Sequence, residues 1–387
     1  MFAYGIFKVI YSPLKAFKEI LQNPRYRGAF LVLIIFAATY AASAFVVLSK
    51  TYDERTLPTL SQGDIWTENR TLWTSNAQIN ESSDGINGGF YGNRSIEFTL
   101  TNSTKVSMSL NFTESVNCSS SGGYQNMSLR MKIVQPNSTE VSNINLSLFS
   151  SAIDHFDYNL TEHVALSDNN TAWNNLTIPV GPESDWTNSS INANWSNITG
   201  LRIELTELQN TNWTVRLDGL FFRGGYVSAL DAAATTYVFS FSLVGVMIFV
   251  IRWIFVSGLL YLLVRALGGK TAWKTLLVMV GYALMTMVVA SAINIVLYSA
   301  LPTINYSLEA LSGATAESEA ALTNILGPTT LVTQVGYYIQ IAMHFWAFVL
   351  CAIIVRTSTE LSWNKSILVG FVAYWTSIFI ASLLLGY

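Results

Sequence analysis

The stretch GAFLVLIIFAATYAASAFVVL, residues Gly28–Leu48, contains no charged side chain. A helix needs about 20 apolar residues to cross the hydrocarbon core of a bilayer, and this stretch meets that length. Ala42-Ser43-Ala44 resembles a signal-peptide cleavage site. The apolar run nevertheless continues beyond it and exceeds the roughly 7–15 residues of a signal-peptide core. We therefore predict a retained transmembrane helix at 28–48.

Four further apolar stretches predict transmembrane helices, at about 237–267, 273–301, 329–355 and 366–387. The first of these contains Arg252, and the part that follows, 253–264, is too short to cross alone, so we predict one long tilted helix. The composition agrees with a membrane protein. Of 387 residues, 51% are hydrophobic and 12% are charged, against roughly 25% charged in soluble domains.

Basic residues predict the orientation of these helices, because cytoplasmic loops carry an excess of Lys and Arg. The first 27 residues form a basic amphipathic segment, and the loops around residues 265–274 and 356–365 are also basic. The intervening segments are acidic, and residues 51–228 hold nine Lys+Arg against eighteen Asp+Glu. We predict a protein of the plasma membrane with a cytoplasmic N-terminus. Residues 51–228 and the C-terminus would then be external, and residues 229–387 would form transmembrane helices 2–5.

Glycosylation sequons favour the same orientation, since Asn-x-Ser/Thr is modified on segments exposed outside the cytosol. An Asn/Ser/Thr-rich segment produces some sequons by chance, but sixteen within 51–228 favour an external glycoprotein. These sites are Asn69, Asn80, Asn93, Asn102, Asn111, Asn117, Asn126, Asn137, Asn145, Asn159, Asn169, Asn175, Asn188, Asn194, Asn197 and Asn212, and Asn305 adds one in the second outer loop. A further match at Asn364 lies on the predicted inner side.

Residues 51–228 show the two-residue period of β-strands, in stretches such as RSIEFTL, KVSMSLNF, NINLSLF and LRIELTEL. Seven or more short strands separated by Asn, Gly and Ser predict an extracellular all-β sandwich. The last third resembles jelly-roll carbohydrate-binding modules, at Trp173, Ile178, Pro179, Val180, Trp186 and Asp218. Gly219 replaces the second Asp that often follows in that family, so the resemblance does not extend to its calcium site. No metal or other cofactor is predicted.

The resemblance implies sugar binding through aromatic rings stacked on pyranose faces. Trp66, Trp73 and Trp195 lie in polar surroundings, so we predict that they are exposed and are candidates for glycan binding. Trp173 and Trp213 lie within strands and are expected to fill the core. The alternative is that the domain is a glycosylated spacer or docks another envelope protein.

The membrane part resembles the Yip1 domain family. Its first helix matches at Pro13, Ala16, Phe17, Ile20, Asn23 and Pro24, and the turn after the second span matches at Leu267, Gly268, Gly269, Lys270, Gly281 and Tyr282. A proline that often follows the Gly-Tyr pair is absent, and a whole β-domain is inserted between the first two spans. The family implies a role in organising membranes or binding partners, best known from vesicle trafficking.

Arg252, Asn294 and His344 are polar residues that lie well inside the predicted spans. Ionisable residues in membranes are rare and often functional, although a hydrogen-bonded packing histidine is the simpler interpretation. We expect His344 to pair with Gln340 or to approach Arg252 or Asn294. His155 and His163 lack the spacing typical of metal ligands.

These features predict a non-enzymatic cell-surface protein, in which a Yip1-like anchor displays a domain that binds envelope glycans or envelope proteins. The alternatives are a transporter or channel component using Arg252 and His344, or a membrane-bound enzyme acting on envelope glycans. The lipid bilayer is the expected partner. The acidic middle argues against nucleic acid, and the dense sequons are typical of an archaeal cell surface.

Overall fold

The computed structural model describes residues 2–86, 88–119, 122–136, 141–164, 172–312 and 315–385. The chain divides into two compact units. The helical unit contains residues 1–51, 228–304 and 326–387, and the strand-rich unit contains residues 52–227 and 305–325. The predicted fold class, a membrane helical bundle plus a β-sandwich, is confirmed.

The helices are, in chain order, α1 (Phe2–Tyr11), α2 (Pro13–Gln22), α3 (Tyr26–Leu48), α4 (Ile65–Glu68), α5 (Ala229–Ala266), α6 (Trp273–Ala283), α7 (Met285–Ser299), α8 (Leu308–Leu311), α9 (Thr315–Leu326), α10 (Thr330–Ser358) and α11 (Trp363–Leu385). The strands are β1 (Thr51–Leu57), β2 (Trp73–Ser75), β3 (Gln78–Ser82), β4 (Ser95–Val116), β5 (Tyr124–Gln135), β6 (Asn143–Phe149), β7 (His155–Asn159), β8 (Asn174–Pro179), β9 (Thr187–Asn188), β10 (Ile198–Ser228) and β11 (Ile304–Tyr306).

The helical unit provides five segments that are long and apolar enough to cross a membrane. They are α3, α5, the α6–α7 pair, α10 and α11. α5 runs unbroken past Arg252, whereas the third segment changes from α6 to α7 at Leu284. Within the N-terminal segment, Ala16 and Phe17 of α2 are buried in the core of this unit while Leu14 and Leu21 are exposed.

Two long strands, β4 and β10, pass through both layers of the sandwich. The first half of β10 pairs with the end of β4 and with β6, and its second half pairs with the start of β4 and with β5. The sequence pattern predicts four short strands here instead. They merge because pairing resumes after the register shifts, which lie near Thr206–Thr211 in β10 and near Asn102, whose φ is 52°, in β4.

The core of the strand-rich unit lies between the two layers and follows the predicted alternation. Leu201, Ile203 and Leu205 of β10 are buried, while the residues between them point away from the core. The connection at 305–325 also belongs to this unit, although the sequence analysis limits the domain to 51–228. Leu308 from that connection is buried against Tyr91 and Phe221.

Candidate functional sites

The three tryptophans expected to be exposed are buried, so that expectation is wrong. Trp66, Trp73 and Trp195 have exposed fractions of 6%, 4% and 8%. Trp66 stacks on Phe112 with ring centroids 4.7 Å apart, and Trp195 stacks on Phe156 at 3.9 Å. Large aromatic side chains gain most by removal from water, and all three belong to the hydrophobic core of the strand-rich unit. None of the three rings offers a face to a sugar.

A polar surface lies on the opposite side of β10 from the core and crosses four paired strands. The register aligns Ser109, Arg202, Ser147 and Asp157 in one row. The next row aligns Ser107, Glu204 and Asn145, because residues two apart along a strand share a face. We call this surface the polar face. Its members are Lys105, Ser107, Ser109, Asn145, Ser147, Phe149, His155, Asp157, Arg202 and Glu204.

Hydrogen bonds and ion pairs connect the side chains of the polar face. Around Asp157, Ser147 Oγ donates to Oδ1 over 2.6 Å, Asn145 Nδ2 donates to the same oxygen over 3.0 Å, and His155 Nε2 lies 3.2 Å from Oδ2. These contacts hold the carboxylate in one orientation. From the sequence, His155 and Asp157 are recognisable only as neighbours of a conceivable metal site, because their contacts with Asn145 and Ser147 depend on strand pairing.

The other half of the polar face is centred on Glu204. Lys105 Nζ lies 2.8 Å from its Oε2, and Arg202 Nε lies 3.4 Å from its Oε1. The Arg202 guanidinium also lies over the Phe149 ring, 4.9 Å from the centroid. The polar face therefore presents fixed donors, fixed acceptors and one aromatic ring covered by a cation. His163 takes no part in it and instead lies 3.3 Å from the Tyr158 hydroxyl.

Most predicted glycosylation sites lie on the surface. Eleven of the described sequon asparagines are exposed, namely Asn93, Asn102, Asn111, Asn117, Asn159, Asn175, Asn188, Asn194, Asn197, Asn212 and Asn305, whereas Asn69, Asn80, Asn126 and Asn145 are half-buried. Asn137 and Asn169 lie outside the described residues. The Nδ2 atom of Asn145, which would carry a glycan, already donates to Asp157.

A half-buried ion network ties the 305–325 connection to the strands. Arg223 of β10 donates from Nε and Nη2 to the two carboxylate oxygens of Glu54, over 2.8 and 2.7 Å. Its Nη1 and Nη2 donate to Glu309 over 2.5 and 3.0 Å. Burial disfavours ionisation of Glu309, but the Arg223 charge outweighs it and lowers the pKa of that carboxyl. Glu309 therefore remains ionised and paired with Arg223.

Asp64 and Asp218 form a buried carboxylate pair that the sequence analysis missed, since 153 residues separate them. Asp64 Oδ2 accepts from the backbone N–H of Gly219 over 2.7 Å, and Asp218 Oδ2 accepts from that of Ile86 over 2.7 Å. The remaining oxygens accept from Thr67 and Gly219. Calcium takes six to eight oxygen ligands, and these occupied oxygens do not fit such a shell. No group of three or more His, Cys, Asp or Glu suited to a metal occurs among the described residues.

Burial and mutual repulsion raise the pKa of Asp64, and burial raises that of Asp218 to about 6. Both lie above the unfolded value of about 3.9. The stability contributed by the pair is therefore complete below that value and is lost as the pH rises through about 6.

We expect Asp64→Asn to weaken this pH dependence and to stabilise the strand-rich unit at pH 7 by about 1–3 kcal/mol, because only Asp218 is then left to ionise. Hydrogen exchange of β10 amides in the full-length protein, from about pH 4 to pH 7, measures it. Asp154→Asn is the control, because hydrogen bonds from Ser190 and Ser151 lower the pKa of that exposed carboxyl. An unchanged pH profile in Asp64→Asn would contradict the assignment.

The intramembrane residues Arg252, Asn294 and His344 line a single cavity of about 420 Å³ in the helical unit. His344 Nδ1 lies 2.8 Å from the Tyr374 hydroxyl and its Nε2 lies 3.5 Å from Gln340 Nε2. The expected neighbours of His344 are thus brought together. Arg252 Nε and Asn294 Oδ1 are buried and have no hydrogen-bond partner among the described residues.

Comparison with known proteins finds one family model that matches part of the chain. Residues 211–385 match the model described as the Yip1 domain, which confirms the resemblance seen in the sequence. No curated protein matches the chain.

Solved structures similar to this chain include several carbohydrate-binding modules. A family 11 module from Clostridium thermocellum, in complex with a β-1,3-1,4-mixed-linked tetrasaccharide, is 14% identical. The match covers 41% of this chain and 92% of that one, with a TM-score of 0.29. A family 30 module from the same organism is 10% identical, with the same coverage and TM-score. An exo-β-agarase is 9% identical over 42% of this chain and 24% of its own, with a TM-score of 0.31.

Proposed function

We propose that this chain, whose residues 211–385 match the Yip1 domain, is a non-enzymatic cell-surface protein that binds a glycan of the cell envelope. Five apolar helices anchor it in the plasma membrane, and the strand-rich unit is displayed outside. The observation that carries the proposal is the polar face, with its connected acids, bases and amides across four strands.

The chemistry of the polar face suits a polyhydroxylated ligand. Each sugar hydroxyl both donates and accepts a hydrogen bond, so it is bound best by fixed carboxylates next to fixed cations and amides. Asp157 and Glu204 supply acceptors, while Arg202, His155 and Asn145 supply donors. Because neighbouring side chains already restrain these groups, little conformational entropy is lost on binding.

The external location of the strand-rich unit rests on charge and on sequons. Basic residues border the predicted inner ends of the spans, and the eleven exposed sequons all lie in or beside the strand-rich unit. Glycopeptide mapping of the native protein is expected to find these sites modified, with Asn364 unmodified. Asn145 is also expected to be unmodified, because it is half-buried as well as hydrogen-bonded to Asp157, unlike the exposed sites.

A glycan array probed with the full-length protein in non-ionic detergent tests the binding proposal. We expect saturable binding to an envelope-type saccharide, reduced about tenfold or more in the double variant Asp157→Asn/Glu204→Gln, because hydrogen bonds to charged groups contribute about 1.5–3 kcal/mol. Glu114→Gln is the matched control, since Glu114 is an exposed carboxylate on β4 outside the polar face. If the protein binds no glycan on the array but its polar face binds an envelope protein, the glycan-binding proposal is wrong and the face is a protein-docking surface.

A further inference from the structure

The cavity that contains Arg252 is built by all five membrane-spanning segments. α3 contributes Tyr40 and Ser43, α5 contributes Arg252, α7 contributes Asn294, and α10 and α11 contribute His344 and Tyr374. Several of its other side chains are apolar, among them Phe36, Ile248, Met287 and Met343. A volume of about 420 Å³ falls in the range of small-molecule sites, roughly 300–1,000 Å³.

Arg252 forms no ion pair with a carboxylate in the part of the chain that the structure describes. The helical unit contains only three acidic residues in its sequence, Glu19, Asp231 and Glu360. Glu19 pairs with Lys8. Asp231 precedes Arg252 by 21 residues on the same helix, about 31 Å at 1.5 Å per residue. Glu360 follows the end of α10, 16 residues after His344, and none of the three lines the cavity.

An unneutralised guanidinium at this depth is costly. Arginine stays protonated in proteins, and a buried charge without a partner destabilises the fold. Arg252 Nε is buried and makes no hydrogen bond within the described part of the chain. Asn294, on α7, also lines the cavity and leaves Oδ1 without a donor among the described residues, and its amide can rotate to offer N–H groups instead. The cavity therefore holds one positive charge and spare hydrogen-bonding capacity.

We propose that this cavity binds the phosphate group of an amphipathic membrane ligand, with Arg252 as its ion partner. Guanidinium binds phosphate through two parallel N–H···O bonds. Asn294 supplies a further hydrogen bond, and the apolar wall accepts the first carbons of a lipid chain. The contact between His344 and Tyr374 fixes the imidazole ring, so that its second nitrogen faces Gln340 and the cavity. A free phosphate ion has the same chemistry, and the experiment distinguishes the two sources.

The test measures binding to the full-length protein, purified in non-ionic detergent, by native mass spectrometry and thermal shift. The probes are short-chain phosphatidic acid, inorganic phosphate and the matching diacylglycerol. We expect saturable binding of phosphatidic acid and none of diacylglycerol. Arg252→Gln is expected to weaken this binding about tenfold or more, the loss typical of a charged hydrogen-bonded contact. Arg252→Lys keeps the positive charge but cannot form two parallel N–H···O bonds. Its affinity for phosphatidic acid is expected to lie between that of the native protein and that of Arg252→Gln.

Arg265→Gln is the matched control, because Arg265 lies on the same helix near its end and stacks on Tyr261 instead of lining the cavity. It is expected to bind phosphatidic acid like the native protein. Binding of inorganic phosphate with the same dependence on Arg252 would support the anion site and assign it to a soluble ion. Equal binding by Arg252→Gln and the native protein, or no binding of either phosphate probe, would overturn the proposal.

Discussion

We expect Arg223→Leu to lower the free energy of unfolding of the strand-rich unit by about 3–5 kcal/mol, because removing one member of a buried ion network leaves its partners charged and unpaired. The side chain of Arg223 is 14% exposed and that of Glu54 is 8% exposed. Without the guanidinium, Glu54 keeps only the backbone N–H of Leu308, at 2.9 Å, as a donor. Glu309 loses both of its ion contacts.

Hydrogen exchange of the full-length protein measures this loss, with peptides from β1, β10 and the 305–325 connection followed separately. Arg94→Leu is the control, because its pair with Glu81 is solvent-exposed and such pairs contribute about 0–1 kcal/mol. Adding Glu54→Gln and Glu309→Gln to Arg223→Leu is expected to recover part of the stability, since the unpaired charges are removed. Equal effects of Arg223→Leu and Arg94→Leu would show that the network does not hold the unit together.

The same network explains why the 305–325 connection belongs to the strand-rich unit. Glu309 binds Arg223, and Glu317 binds Arg130, with Arg130 Nη2 2.5 Å from Glu317 Oε2. The Arg130 guanidinium also lies over the Tyr91 ring, 4.3 Å from its centroid. Acidic residues in a loop are ordinarily interpreted as a sign of solvent exposure. Here two of the acidic side chains anchor the loop to the buried Arg130 and the half-buried Arg223.

The membrane spans and the β class could be predicted because both depend on local pattern. A run of apolar residues at Gly28–Leu48 indicates a span wherever it occurs, and strict alternation at Leu201–Leu205 indicates a strand with one buried face. The merging of short strands into β4 and β10 could not be predicted. Polar residues interrupt the alternation at a register shift within one strand just as they do at a turn between two strands.

The candidate sites divide in the same way. Arg252, Asn294 and His344 are recognisable because a polar residue in an apolar run is conspicuous, whatever it contacts. The burial of Trp66 and Trp195 could not be predicted, because polar neighbours in the sequence do not determine whether a side chain is packed in the core. Glu54 and Asp64 have no local signal, since their partners Arg223 and Asp218 lie more than 150 residues away. Only the paired strands bring them together.

The second large effect concerns Gly281, where α6 approaches α3 and α5 closely. A Cβ atom at Gly281 would lie 2.4 Å from the Cβ of Ala29 and 3.0 Å from the indole of Trp253. Small residues let membrane helices pack at short range, because the packed surface itself supplies the attraction there. The Gly281–Tyr282 pair that carries the family resemblance therefore has a packing role in this chain.

We expect Gly281→Leu to destabilise the helical unit by about 3 kcal/mol or more, the upper range for overpacking a rigid contact, and Gly281→Ala to do so less severely. The loss of stability is measured by heating the full-length protein in detergent and using size-exclusion chromatography to determine how much folded protein remains at each temperature. Gly258→Ala is the matched control, because its new Cβ would meet nothing closer than Trp273 at 3.9 Å. Since the shortest contact is with Ala29, Ala29→Gly is expected to restore part of the stability of Gly281→Ala. If that second change restores nothing, the close approach of α3 and α6 is not what requires glycine at this position.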